Sequence, residues 1–244
     1  MSTKSSTVLH PPISPIRNNQ PLPHVVKDLR GIKGKYYIAS LIEEGEHEHQ
    51  DFKFAVSDAR KIARSLSAFA NNDGGRLLIG VKDNGVIAGV RNEEDIYVVE
   101  QAAEMYCVPS QQLRVTAFRT EGGHTVMRVE IDRAPSRPVQ VKESDGRLKA
   151  YYRVRDENIA APQLLVRAWQ RAARQNGGSL ISLDGHSRTL LTLAAADGGV
   201  KIEDFMVSAH ASRAMAEEIA VSLYSMGLID FAYDGTTFNI VATT

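Results

Sequence analysis

Hydrophobic and polar positions change period several times along this chain, and each change marks an element. Asp51 to Phe54 alternates polar and apolar residues at the strand period of two. From Ser57 the period lengthens. Ile62, Leu66 and Phe69 fall at i, i+4 and i+7 with Ala63 and Ala70 beside them, while Arg60, Lys61 and Arg64 look outward. That pattern predicts an amphipathic helix capped by Ser57 or Asp58. Asn71-Asn72-Asp73-Gly74-Gly75 should end it, because Asn and Gly tolerate the left-handed backbone of a helix C-terminus. Arg76 to Val81 resumes as a strand, Asp83-Asn84-Gly85 supplies the positive φ of a primed hairpin turn, and Val86 to Val90 returns as the partner strand.

The same signals organise the rest. Tyr36 to Ile42 reads as a short helix, and Glu93 to Cys107 as another, with Ile96, Val99 and Ala103 on one face and Pro109 as its stop. Leu113 to Thr120 and His124 to Ile131 alternate around Glu121-Gly122-Gly123, and Val139 to Lys142 and Arg147 to Arg155 around Ser144-Asp145-Gly146. A helix follows from Ala161 to Gln175. The expected fold class is α+β, a mixed sheet with packed helices. Beyond Asn176-Gly177-Gly178-Ser179 come three helical stretches (Ser187 to Ala196, Lys201 to Ala209, Ser212 to Met226) and two strands (Leu228 to Tyr233, Thr237 to Val241), an order that resembles a winged helix-turn-helix. Residues 1–30, with five of the nine prolines, are expected to be disordered or to form a docking arm. The expected divisions are then 31–176, a linker at 177–187, and 188–244.

Charge refines this picture by its distribution, since 29 basic and 29 acidic side chains cancel overall. Between Arg128 and Arg174 eleven basic residues face six acidic ones. Lys149, Tyr151, Arg153 and Arg155 share one strand face, and Arg167, Arg171 and Arg174 one side of a helix. Cations with an interleaved aromatic suit a phosphate backbone and a stacked base; the alternative is that both elements simply turn charged sides to solvent. Residues 188–244 carry three basic and seven acidic groups, so that part is read as a protein-interaction or dimerisation module. The single Cys107 excludes an internal disulfide, and no apolar run approaches a membrane span or a signal core, which points to a soluble cytoplasmic protein with no membrane partner. Gly31 to Tyr36 is too short for a phosphate loop, and His47 and His49 lack the spacing of a zinc site.

The ordered blocks GEHEHQDFK, SAFANNDGG and LLIGVKDNGVIAGV, then Pro135-Ser136-Arg137-Pro138 and Ala150 to Arg155, resemble the Schlafen and AlbA-type DNA-binding domain over residues 36–160. The resemblance implies nucleic-acid binding, with DNA favoured over RNA and a regulatory role. It tips the charge pattern toward binding, with Lys53, Arg137, Lys149, Tyr151, Arg153, Arg155, Arg167, Arg171 and Arg174 as the expected binding set. It also implies a rival: the acids matching Glu46, Asp51 and Asp83 form a metal-dependent ribonuclease site in eukaryotic Schlafen proteins, where Mg²⁺ or Mn²⁺ would be the only cofactor. Against that rival, Asp51 stands where glutamate is usual and Lys82 where an acid is common, and each acid has a structural alternative: Glu46 as a loop cap, Asp51 paired with Lys53, Asp83 as the start of the Asn-Gly turn. A third alternative is an adaptor whose tail recruits a protein partner. Because the Schlafen core resembles two facing AlbA-type lobes and this chain supplies one, a homodimer is expected.

Overall fold

The computed structural model describes residues 25–90, 94–174 and 183–243. In chain order the elements are β1 (Val25–Lys33), α1 (Lys35–Glu44), β2 (Gln50–Lys53), α2 (Ala59–Asn71), β3 (Gly75–Ile79), α3 (Glu94–Gln101), β4 (Cys107–Val108), β5 (Leu113–Arg119), β6 (Thr125–Ile131), β7 (Gln140–Lys142), β8 (Leu148–Val154), β9 (Glu157–Ala160), α4 (Gln163–Arg174), α5 (Gly185–Ala194), α6 (Ile202–Ser208), α7 (Arg213–Ser225), β10 (Ile229–Tyr233) and β11 (Phe238–Ala242). The first sheet runs β1-β5-β6-β3-β2 and is mixed, because β1 pairs parallel with β5 and β2 parallel with β3 while the inner pairs are antiparallel. A second sheet runs β4-β7-β8-β9, and β10-β11 is a separate ribbon. The α+β class is as the sequence predicts.

Helix α2 lies between the two sheets, and this position organises the molecule. Its Ala63, Leu66, Phe69 and Ala70 meet Leu77, Ile79, Val115 and Val129 from the first sheet and Val139, Val141 and Tyr151 from the second in one buried cluster. Asp58 caps it, accepting the N–H groups of Arg60 and Lys61. The opposite face of the first sheet is covered by α1, whose Ile38 and Leu41 pack on Phe52, Leu78, Phe118 and Val126. On the far side of β8, Ala150 joins Leu165, Val166 and Trp169 of α4 in a third cluster that continues through Leu190, Phe205, Ala220 and Leu223 into β10 and β11. The inner face of α4 therefore belongs to the core of the C-terminal elements. No helix among the described residues is long and apolar enough to cross a membrane.

Three expectations are corrected. Residues 25–30, assigned to the N-terminal arm, are part of β1, where Val25 is buried and Val25 to Asp28 pair with Leu113 to Thr116; residues 1–24 lie outside the described residues. The strand expected over Val86 to Val90 reduces to one bridge, Val81 to Ile87. Gly80, at φ 94°, turns the chain so that the N–H groups of Ala88 and Gly89 both donate to its carbonyl, and a Cβ there would lie 2.8 Å from the Gly89 carbonyl carbon. The helix expected through Cys107 stops at Gln101 and widens into a π-helical turn, Ala102–Tyr106, which delivers Cys107 to β4, where it is buried. Within the expected linker, residues 175–182 lie outside the described residues, while α5 already starts at Gly185 behind the Asp184 cap.

Candidate functional site

Glu46 and Asp51 come together through a local fold. The N–H of His47 donates to the Gln50 carbonyl at 3.0 Å and the N–H of Gln50 returns to the His47 carbonyl at 3.2 Å, which doubles the chain back on itself before β2. Glu46 Oε1 then accepts the Phe52 N–H at 2.8 Å. Along β2 the side chains alternate, so Phe52 enters the α1 side of the sheet and Asp51 the α2 side. There Asp51, only 3 % exposed, takes Lys53 Nζ at 2.7 Å and the Ser65 hydroxyl at 3.2 Å on Oδ2, and has Arg153 Nη2 3.6 Å from Oδ1. Burial and the hydrogen bond to Asp51 push the Glu46 carboxyl up. Burial pushes Asp51 the same way, but the hydrogen bond from Glu46 and the charges of Lys53 and Arg153 outweigh it and hold Asp51 low. The two carboxyls are thus pushed apart, Glu46 up and Asp51 down.

This arrangement does not fit a three-carboxylate metal centre. Asp83 sits in the exposed turn after Gly80, and among the described residues no three His, Cys, Asp or Glu side chains converge. Of the two acids that do meet, Asp51 already has the cations Lys53 and Arg153 beside it. Lys82 packs over the Phe54 ring at 5.4 Å.

The conspicuous polar residues of the SAFANN stretch are structural. Asn71 Nδ2 donates to the carbonyls of Val139 and Tyr151, both at 2.9 Å, and its Oδ1 accepts the Val139 N–H at 2.8 Å. The Ser67 hydroxyl donates to the Val139 carbonyl at 2.8 Å and accepts the Tyr151 N–H at 3.1 Å. Asn72 brackets the backbone of Arg153 in the manner of a neighbouring strand, at 2.8 and 3.0 Å. These side chains satisfy β7 and β8 backbone groups that face a helix. The signal for them was present as polar residues four apart, Ser67 and Asn71, on the inner side of an amphipathic helix.

The cations expected to bind a polyanion separate into two groups. Lys149, Tyr151 and Arg153 do share a strand face, but it is the face that α2 covers. Arg153 is 1 % exposed, its guanidinium donating to Asn158 Oδ1 at 2.9 Å and to the Gln50 carbonyl at 3.2 Å while lying 5.1 Å over the Phe69 ring. The Tyr151 hydroxyl is bound to Glu143 at 2.5 Å, and burial with that bond pushes it up to about 12. Lys53 is paired with Asp51 as described. Arg137 donates to the Asn71 carbonyl at 3.0 Å and to the Tyr224 hydroxyl at 3.2 Å and stacks 5.3 Å from the Trp169 ring. On α4, Arg167 pairs with Glu217 at 2.6 Å and Arg171 with Glu218, both acids from α7. Of the expected binding set, Lys53, Arg137, Tyr151, Arg153, Arg167 and Arg171 each have partners within the chain, and Tyr151 and Arg153 are buried. Lys149, Arg155 and Arg174 are exposed.

Residues 46–162 match the family model described as Schlafen, AlbA_2. No curated protein matches the chain. Among solved structures, the DIP2311 protein from Corynebacterium diphtheriae aligns over 79 % of this chain at 20 % identity with a TM-score of 0.43, and this chain spans 34 % of its length.

Proposed function

We propose, from the Schlafen AlbA-type domain that residues 46–162 form, that this chain is a nucleic-acid-binding protein, with DNA as the favoured ligand and regulation rather than cleavage as its task. The family match carries this reading. The local geometry supports the non-enzymatic side of it, because Asp51 already has Lys53 and Arg153 beside it and Asp83 sits in an exposed turn. In this reading residues 31–176 hold the ligand and residues 188–244 act as a winged-helix-like module for a protein partner or for homodimer contact, resting on the inner face of α4. A cytoplasmic setting suits the lone buried Cys107.

The deciding measurement is a binding screen of the full chain against duplex DNA, single-stranded DNA and structured RNA at two salt concentrations, with and without Mn²⁺. Salt-sensitive binding without cleavage is the expected result. The second reading, a metal-dependent ribonuclease, draws on the proximity of Glu46 and Asp51. It predicts Mn²⁺-dependent cleavage that disappears in Glu46→Ala, Asp51→Ala and Asp83→Ala alike, and observing it would displace the first. Sedimentation at tens of micromolar decides between homodimer and monomer.

A further inference from the structure

The arginines on the α1 side of the first sheet are met by carboxylates: Arg114 by Asp132 at 2.6 Å, Arg128 by Glu130 at 2.8 Å, and Arg76 by Glu44. The α4–α7 seam is closed in the same way. The outer side of α2 differs. It carries Arg60, Lys61 and Arg64, and Lys149 stands on the α2-facing side of β8, one alternation before Tyr151 and beyond the cover that buries that tyrosine. Lys61 and Lys149 are exposed and, among the described residues, neither has a carboxylate within ion-pair distance.

Three acids of this neighbourhood are engaged, and the Lys149 charge acts on one of them, Glu143. Glu143 receives Arg64 on both oxygens, Nε to Oε1 at 2.9 Å and Nη2 to Oε2 at 2.6 Å, together with the Tyr151 hydroxyl. Asp58 is turned to the N–H groups of Arg60 and Lys61 at the start of α2. Asp145 accepts the Arg147 N–H at 3.0 Å. The bidentate Arg64–Glu143 pair also fixes the helix against the β7–β8 hairpin, so Lys61 and Lys149 are presented from a rigid platform rather than from separate loops. Of the nearby aromatics, Tyr151 is buried beneath Glu143 and the half-buried Tyr106 has the Arg60 guanidinium over its ring at 4.9 Å. The patch offers charge without an exposed ring on which a base could stack.

We propose that this α2–β8 patch seats the phosphodiester backbone of a nucleic acid, with Lys61 and Lys149 as its principal contacts and without reading the bases. The inference rests on the nucleic-acid reading above and gives it a surface. Cations that meet phosphates alone bind through counterion release and do not discriminate sequence.

The test uses fluorescence anisotropy of the full chain with labelled 30-mer duplex DNA, duplex RNA of the same sequence, and a scrambled duplex, each over a salt series. The variant is Lys61→Glu with Lys149→Glu; the charge-matched control is Arg188→Glu with Lys201→Glu, on exposed positions of the C-terminal elements. The patch variant should lose about ten-fold or more in affinity on original and scrambled duplex alike, and its salt slope should fall by about 2. The control should change less than about two-fold, and Lys61→Arg with Lys149→Arg should keep wild-type affinity. The DNA and RNA arms identify which backbone is preferred. If the wild type binds and the patch variant binds equally well with the same slope, the patch is wrong while the functional reading stands. If the wild type binds no nucleic acid in any arm, the functional reading fails and the patch fails with it. Because the Lys149 charge acts on Glu143, circular dichroism and thermal melts of the variant, and a Lys61→Gln with Lys149→Gln variant expected to lose part of the affinity, separate lost binding from lost fold.

Discussion

Two rows of cations, one on β8 and one on α4, look alike in sequence and meet opposite fates. On β8, Arg153 is drawn into a low-dielectric seam between sheet and helix, where Asp51, Asn158 and two backbone carbonyls hold it. On α4, Arg167 and Arg171 stay partly exposed, at 45 % and 36 % of their side-chain surface, and are met by glutamates of α7. The two sets of arginines are engaged for different reasons: Arg153 is shut away from solvent, whereas Arg167 and Arg171 are matched by counter-charge. The energetic consequences differ as well. A buried ion that loses its partners leaves uncompensated charge in the interior, whereas a surface pair gains little because water and salt already screen it.

The sharpest way to break this contrast is Arg153→Ala. Removing the guanidinium takes one of the two cations beside buried Asp51 and the donor of Asn158 Oδ1, empties the space over the Phe69 ring, and should cost about 3–5 kcal/mol in denaturant unfolding. A loss below about 1 kcal/mol would place Arg153 in the surface class with α4. Asn71→Ala should come next, at about 2–3 kcal/mol, since it leaves backbone groups of Val139 and Tyr151 unpaired in the core. Nucleic-acid affinity of whatever fraction remains folded should be unchanged, because Asn71 touches no surface.

Glu143 gives a pH signature that lies between the extremes. Its carboxyl is held below its ordinary value, first by Arg64 and also by the Tyr151 hydroxyl, against the opposing effect of burial. A depressed folded-state value means the contribution to stability is fully present above the unfolded carboxylate's value of about 4.3 and is lost as pH falls through the lower folded value. Glu143→Gln should therefore lower stability at pH 7 by about 1 kcal/mol and flatten the acid limb of the stability profile between pH 5 and pH 3. A wild-type acid limb that survives intact in this variant would assign it to other carboxylates. The smallest effect is expected for the α4–α7 seam: a double-mutant cycle of Arg167→Ala and Glu217→Ala should return a coupling of about 0.2–1 kcal/mol that shrinks with added salt.

Much of the fold was legible before any tertiary contact was known, and the reasons are local. Asp58 capping α2, the Asn-Gly-Gly end of that helix, the two hairpins of β5–β6 and β7–β8, and the three helices and ribbon of the C-terminal part all follow from period, caps and turn residues that act within a few positions. The misses were non-local. β1 was read as part of an arm because its pairing partner, β5, lies some eighty residues further on. The β9 strand was not foreseen, and neither was Asn158, which closes the polar contacts of both Arg153 and Ser65.

By itself the sequence determined which side chains share a face: Lys149, Tyr151 and Arg153 on one side of a strand, Arg167 and Arg171 on one side of a helix. Backbone geometry sets that periodicity without reference to anything else in the molecule. Only the tertiary structure decided what each face meets. Packing α2 against β8 buried Arg153 and left Lys149 at the margin, and packing α7 against α4 brought Glu217 and Glu218 to arginines some fifty positions away. The value of a charge is set by its dielectric surroundings and its nearest counter-charge, and both are properties of neighbours distant in sequence.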